Sequence, residues 1–269
     1  IKLIKKYYAY GIPLVFSSLG ITIINVGDRF IIGYYLTAKE LGVYAVAYTI
    51  GSLIFFLTQS IFYNLRPDIT EAKNNKDIEK LKEIFNNYFK VFLLFITPSF
   101  FGLMIVSNNL LKIINSDLVN DALLPTFYIL FGIFIYQLHR FYEYILIIYD
   151  KGNLLSILYI IASLFNVVLN ILLVPDIGIV GAAISTLVTY ILISIMLFIY
   201  SRKIIKIELD KIFIFKTTLS SLIMYIILFS LNFNLPNTWD LITKIIIGTS
   251  VYSVLIWFLL KDYLNKKIF

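Results

Sequence analysis

Long apolar blocks alternate with short polar breaks along this chain. Eight blocks have 18 or more mostly apolar residues, at about 9–32, 42–65, 88–107, 123–148, 154–174, 178–200, 214–231 and 242–260. A helix of about 20 such residues crosses the hydrocarbon core of a bilayer. The fifth and sixth blocks are parted only by "VPDIGIVG", which predicts a tight hairpin, with Pro175 ending one helix and Gly178 and Gly181 near the next. The seventh is the weakest, being short and rich in hydroxyls, and a count of seven would drop it. Between the second and third blocks, residues 67–87 mix both charge signs and place Ile78, Leu81, Ile84 and Phe85 at helical spacing. That pattern predicts a short amphipathic helix on the membrane surface, either a solvated connector or a partner site.

Composition agrees with an all-α polytopic membrane protein of eight transmembrane helices. Of 269 residues, 60% are hydrophobic and only 14% charged, with a mean hydropathy of +0.88. A water-soluble domain carries about 25% charged residues. The absence of cysteine excludes disulfide frameworks and thiolate chemistry, and the single histidine, His139, excludes a multi-histidine metal centre. No cofactor is implied. No signal peptide opens the chain, and Ile1 in place of Met suggests processing or truncation.

The net charge of +7 is mostly a topology signal. With the first residue in the cytoplasm and eight crossings, 18 of the 23 basic residues fall inside, from Lys2, Lys5 and Lys6 through to Lys266 and Lys267. Only Lys39, Lys112 and Lys244 fall outside, while Arg29 and Arg140 lie within helices. This positive-inside bias supports eight spans in a cytoplasmic membrane, with both ends of the chain cytoplasmic. The basic face suits anionic phospholipids and gives no reason to invoke nucleic acid.

Polar residues inside the spans are the candidate chemistry, because burying them in lipid is costly. In the first span Gly11, Ser18, Thr22, Asn25 and Arg29 share one helical side, with Asp28 beside them. Two readings stand: an Asp28–Arg29 pair anchored at the headgroups, or an Arg29 that meets an anionic substrate. In the second span Tyr44, Tyr48, Gly51 and Gln59 follow one side. In the fourth, Tyr128, Gly132, Tyr136, His139, Arg140 and Glu143 recur at three- or four-residue steps. Glu143 can reach either His139 or Arg140. Arg140 lies about 12 Å along the helix from Ile148, deep for a loop charge. This cluster reads either as self-neutralised packing or as a phosphate or proton site on a translocation path. Asn166 and Asn170, four apart in the fifth span, read as interhelical glue or as path lining. Tyr8, Tyr34, Tyr35, Tyr149 and Trp239 fit an aromatic belt. No glycine-rich phosphate loop, HExxH or GxSxG motif occurs, and the outer loops are short, so transport fits better than catalysis.

Two segments carry a family resemblance. In "YGIPLVFSSLGITIINVGDRFIIGYYLTAKELGVYAVAYTI", Gly11 and Pro13, Asp28 and Arg29, and Gly42 with Tyr44 and Tyr48 precede a later Pro67. In "NVVLNILLVPDIGIVGAAISTLVTY" the pattern is Asn166, Asn170, Pro175, Gly178, Gly181, Ala182, Ala183 and Thr186. Together they resemble the polysaccharide and oligosaccharide flippases of the multidrug/oligosaccharidyl-lipid/polysaccharide exporter superfamily. The resemblance implies the second lobe and two terminal helices of that fold: residues 1–200 as a six-helix bundle, 201–269 as two further helices, and an N-terminal lobe missing upstream. It implies translocation of an undecaprenyl-diphosphate-linked oligosaccharide, with coupling to H+, Na+ or the membrane potential. The candidate path residues are Asn25, Asp28, Arg29, Tyr136, His139, Arg140, Glu143, Asn166 and Asn170. A drug or metabolite antiporter of the same superfamily, a membrane glycan polymerase and a non-transporting helical fragment are the rivals.

Overall fold

The computed structural model describes residues 2–231, 233 and 235–264, with side chains placed over 11–261 except at 13, 14, 57, 118, 232 and 234. The side chains of Lys2, Lys5, Lys6, Tyr8 and Pro13, and residues Lys266 and Lys267, lie outside the described residues. Among the described residues there is no strand. The helices are α1 (Lys2–Tyr35), α2 (Ala38–Asn74), α3 (Ile78–Ile114), α4 (Val119–Ile148), α5 (Gly152–Ile204), α6 (Lys211–Ser230) and α7 (Asn237–Leu264), with one 3₁₀ turn at Ser116–Leu118. All seven contain a stretch long and apolar enough to cross a membrane. The weak seventh block forms a helix of its own, α6.

Local chemistry sets the helix ends. At the start of α2, Glu40 Oε2 accepts from the Thr37 backbone N–H at 3.0 Å and Thr37 Oγ1 accepts from the Glu40 N–H at 3.3 Å. This reciprocal capping box satisfies donors that the helix leaves open. Asp77 caps α3 by accepting from Lys80 N–H at 2.9 Å, and Asp210 caps α6 by accepting from Phe213 N–H at 3.0 Å. The segment 67–87 is no separate surface helix. Its two halves are the last turns of α2 and the first turns of α3, with a turn at 75–77 where Lys76 has φ 59°. The apolar spacing at Ile78–Phe85 belongs to α3 itself, which buries Leu81 and Phe85. Pro67 sits inside α2, so it does not mark that helix's end.

Helix α5 holds two crossings. As one straight rod its 53 residues would reach about 80 Å, more than twice the bilayer core. The backbone leaves helical geometry at Gly178, with φ 63° and ψ −147°, a region only glycine enters readily. Pro175 stays inside the helical run, so the break comes three residues after the predicted one. The chain folds back there: Asn166 Nδ2 donates to Thr189 Oγ1 at 3.1 Å, although 23 residues separate them. At Gly181 a Cβ would stand 2.5 Å from the Leu173 carbonyl oxygen, so the two arms touch backbone to backbone. Six helices and the two arms of α5 thus account for the eight predicted apolar blocks among the described residues.

The chain divides into two compact units, residues 1–48 with 124–206, and residues 49–123 with 207–269. Within the second unit α3 pairs with α6 and α7. In the second unit Ser221 Oγ donates to Thr97 Oγ1 at 2.9 Å, and Tyr252 Oη to the Leu94 carbonyl at 3.0 Å. Lys90 pairs with Asp210 at 3.2 Å near one end, and Lys244 with Asp240 at 2.7 Å near the other. Asn109 Nδ2 also donates to Asp240 at 2.7 Å. In the first unit α1 lies along α5. Ser17 and Ser156 hydroxyls meet at 3.2 Å, and Gly20 lets the two backbones approach at Tyr159. Helix α4 lies on the second arm of α5, with Gly132 against Leu187 and Tyr190.

Candidate functional site in the first unit

Two polar clusters lie within this unit, and the side chains that build them come from α1, α2, α4 and both arms of α5. The first surrounds Asp28, which is fully buried. Its carboxylate accepts from the Tyr44 hydroxyl and from the Arg29 backbone N–H at 2.7 Å. Thr186 of the second arm stands beside Asp28 and Tyr44, but its hydroxyl oxygen has no hydrogen bond of good geometry. Arg29 turns its guanidinium over the Tyr48 ring, 4.6 Å from the centroid, and donates to the Asn25 carbonyl at 2.9 Å. Asn25 Oδ1 accepts from the Tyr190 hydroxyl at 2.5 Å, which ties α1 to the second arm. Asp28 and Arg29 thus each have partners in protein, which differs from a simple pair at the headgroups.

The second cluster gathers on α4. His139 is buried; its Nδ1 lies 2.9 Å from Ser194 Oγ and its Nε2 3.5 Å from Tyr159 Oη. Ser194 donates its one hydrogen to the Tyr190 carbonyl at 2.5 Å, so it can only accept from His139. That makes Nδ1 the protonated nitrogen and leaves Nε2 as an acceptor facing Tyr159. The sequence places Glu143 within reach of His139 or Arg140, and in the structure its neighbours are Arg140 and Tyr159, the latter also in contact with His139. Glu143 sits against Tyr159 and in the field of Arg140, one turn back on α4. Arg140 donates to Gln137 Oε1 at 3.4 Å. Tyr136 packs edge-on to His139 at 4.7 Å and against Tyr190 at 5.0 Å between centroids. Tyr190 therefore touches both clusters. Arg140 and Arg29 are both half-buried.

Asn166 and Asn170 are fully buried on the first arm of α5. Asn170 Nδ2 donates to the Asn166 carbonyl at 2.9 Å and to its side-chain oxygen at 3.2 Å. The Asn170 side-chain oxygen is buried without a partner. So the amides are glue at Asn166 and leave one acceptor open at Asn170.

The pattern on α1 is rotated from the one read in the sequence. Ser18 and Thr22 are exposed and bond their hydroxyls to the Val15 and Ser18 carbonyls, at 2.9 and 2.8 Å. The buried side runs through Ser17, Gly20, Ile24, Asp28 and Ile32, one residue or about 100° around the helix. On α2, Tyr44 and Tyr48 point into this unit while Gln59 is exposed. Tyr159, Tyr190, Ser194, Thr186 and Thr189 were missed as site residues. The signal for the last four was their near-regular spacing on the second arm, hidden among ordinary hydroxyls. Among the described residues no group of three or more His, Asp or Glu is placed to hold a metal ion.

Comparison with known proteins bears on what this geometry serves. A family model described as "Polysaccharide biosynthesis protein" matches residues 1–123. The chain is 22% identical over 236 residues to the probable low-salt glycan biosynthesis flippase Agl15 of Haloferax volcanii, covering 84% of this chain and 48% of that protein. Its fold is similar to the lipid II flippase MurJ in an inward closed conformation, with a TM-score of 0.72 at 19% identity, covering 91% of this chain and 53% of MurJ. A MOP superfamily transporter from Pyrococcus furiosus gives a TM-score of 0.63 at 14% identity, covering 91% and 61%. The chain spans about half the length of the proteins it matches. By their names, these proteins are a probable flippase, a flippase and a transporter. The chain is a multi-pass, all-α membrane protein that shares the fold of the flippase MurJ and of a MOP superfamily transporter and is similar in sequence to a probable glycan flippase.

Proposed function

We propose that this chain is the second half of a flippase that moves a polyprenyl-diphosphate-linked oligosaccharide from the cytoplasmic to the outer leaflet. The supporting observation is a pair of half-buried cations, Arg29 and Arg140, held within the first unit by Tyr48, Asn25 and Gln137. Guanidinium groups kept at membrane depth serve an anion better than they serve lipid. A diphosphate linking a glycan to a lipid tail is such an anion. The names of Agl15 and MurJ, a glycan-biosynthesis flippase and a lipid II flippase, support the same substrate class. A lobe upstream of this chain would supply the other wall of the path, in keeping with relatives of about twice the length.

Asp28 is the residue to bind a coupling cation. Its carboxylate is buried, and the Thr186 hydroxyl beside it lacks a good hydrogen bond. A buried acceptor left open costs about 1–3 kcal/mol, and a small cation such as Na+ or a proton at Asp28 would relieve that cost.

The test is reconstitution in vesicles with a labelled polyprenyl-diphosphate oligosaccharide whose outer-leaflet fraction is read by lectin. Protein-dependent exposure of the glycan, faster in a Na+ or H+ gradient, is expected. Gradient-driven movement of a lipophilic cation with no glycan exposure would replace this reading with the antiporter.

A further inference from the structure

We propose that the second unit holds one phospholipid, with an acyl chain in the cavity between α3, α6 and α7 and its phosphate on Lys244. This lipid is distinct from the glycan substrate, and its failure to bind would leave that reading untouched.

The cavity has a volume of about 500 Å3. Leu103 and Val106 of α3, Met224 and Leu228 of α6 and Ile245 of α7 give it apolar walls. Ser99, Thr249 and Tyr252 line it too, but each gives its hydroxyl hydrogen to a backbone carbonyl, at 2.6, 2.8 and 3.0 Å. These hydroxyls therefore ask nothing of a ligand. Phe95 and Ile245 are half exposed, so the cavity opens sideways from the helices towards lipid. An apolar space of this size left unfilled would cost as much as the net stability of a whole domain.

Its length selects the occupant. On α3 the lining runs from Leu94 to Val106, about 18 Å, and on α7 from Lys244 to Ser253, about 14 Å. Half of a bilayer's hydrocarbon core is about 15 Å thick. The cavity thus has the depth of one leaflet, which is the reach of a phospholipid chain. A polyprenyl tail is far longer and would outrun it.

One end supplies the headgroup contact. Among the described lining residues Lys244 alone is charged. Its ammonium has three hydrogens, of which one goes to Asp240 Oδ2 at 2.7 Å and one to Asn109 Oδ1 at 3.3 Å. The third is left for an acceptor in the cavity. Asp240 Oδ2 also accepts from Asn109 Nδ2 at 2.7 Å, so its charge is shared between two donors. Helix α7 has 28 residues, about 42 Å, against a core of about 30 Å. Lys244, seven residues after Asn237, therefore sits near the edge of the core, where a leaflet's phosphates lie.

The probe is palmitoyl-oleoyl-phosphatidylcholine, added to the protein in detergent micelles and counted by native mass spectrometry. One phospholipid should stay on each wild-type chain under activation that strips the rest. Diacylglycerol with the same chains lacks the phosphate and should bind on the order of tenfold more weakly. Lys244→Met should bring the two lipids level. Gly102 lines the cavity and a Cβ there meets nothing within 4 Å, so Gly102→Phe fills the space without a backbone clash. That variant should retain neither lipid while melting in detergent no lower than the wild type. Excess undecaprenyl phosphate should leave the bound phospholipid in place. A wild type that retains no lipid, a folded Gly102→Phe that retains as much, or diacylglycerol bound as tightly as the phospholipid would each overturn the site. Displacement by undecaprenyl phosphate would give the cavity to a prenyl tail instead.

Discussion

Replacing Gly181 by alanine tests the hairpin that brings the two arms of α5 together. A Cβ there would lie 2.5 Å from the Leu173 carbonyl oxygen and 2.7 Å from its carbon. Both are backbone atoms, so no side chain can swing away. Ordinary contact begins near 3.4 Å, and the arms must part by about 0.9 Å at this point. The same opening would stretch the Asn166–Thr189 bond from 3.1 Å beyond hydrogen-bonding range. Overpacking costs about 1–3 kcal/mol. An unmade buried hydrogen bond adds about 1–3 kcal/mol. Together they amount to about 2–6 kcal/mol, or a fall in Tm on the order of 5–20 °C for a chain of this size. Gly42→Ala is the matched control, since a Cβ at Gly42 meets nothing within 4 Å. It should hold or slightly raise the melting temperature, as alanine favours helix over glycine by about 0.8–1 kcal/mol. Gly20→Ala should fall between them, with its Cβ 2.9 Å from the Tyr159 carbonyl oxygen. Thermal unfolding in detergent or nanodiscs reads all three. A Gly181→Ala protein that melts with the wild type, or a Gly42→Ala protein that falls as far, would refute the hairpin packing.

Three other outcomes are expected. Gly178→Ala should cost about 1–3 kcal/mol by thermal unfolding, because φ 63° with ψ −147° is closed to a residue with a Cβ; an unchanged melt would contradict that backbone turn. Asp240→Asn and Lys244→Met, taken singly and together, should show a coupling energy of about 1–3 kcal/mol, since Lys244, Asp240 and Asn109 converge within 2.7–3.3 Å; strict additivity would mean the cluster does not hold α7 to α3. The chain has no native cysteine, so single cysteines report sidedness directly. Asn75→Cys and Asp150→Cys should react with an impermeant thiol reagent from the cytoplasmic side, and Ser116→Cys and Asn237→Cys from the other. Labelling of all four from one side would break the eight-crossing topology.

The positions of the apolar helices were legible in the sequence because hydropathy is a one-dimensional signal. Even α6, with Thr217, Thr218, Ser220 and Ser221, proved to be a full helix. Thr217 and Ser220 bond back to carbonyls one turn earlier and Ser221 donates to Thr97 of α3, so the groups that weakened its apparent hydropathy are satisfied by protein. Helix boundaries near prolines were less legible. Pro67 and Pro175 both sit inside helical runs, so a proline in this sequence does not by itself mark a helix end.

The site was legible in part. His139, Arg140, Glu143 and Tyr136 could be placed on one side of a single helix, since helical spacing alone decides that. What His139 and Glu143 touch on the arms of α5 lies 16 to 55 residues away, and spacing carries no information about such partners. Ser194 and Tyr159 were therefore invisible although they set the histidine tautomer. The rotation of α1 has a similar cause. Ser18 and Thr22 look like buried polar groups in the sequence, yet each hydroxyl finds a carbonyl on its own helix and can face outward. Gly20 is the better marker of the packed side, because only its lack of a side chain permits the approach to Tyr159.

Flipping by point variants in vesicles tests the central claim most directly. Outer-leaflet exposure of a polyprenyl-diphosphate oligosaccharide is compared among the wild type, Arg140→Gln, Arg29→Gln and Arg202→Gln. Charge-assisted contacts to a diphosphate are worth about 1.5–3 kcal/mol each, or about 10- to 100-fold. Arg140→Gln and Arg29→Gln should therefore each slow flipping at least about tenfold. Arg202, exposed near the end of α5, should be dispensable. Wild-type flipping by Arg140→Gln and Arg29→Gln would contradict the assignment of these two cations to the lipid-linked diphosphate.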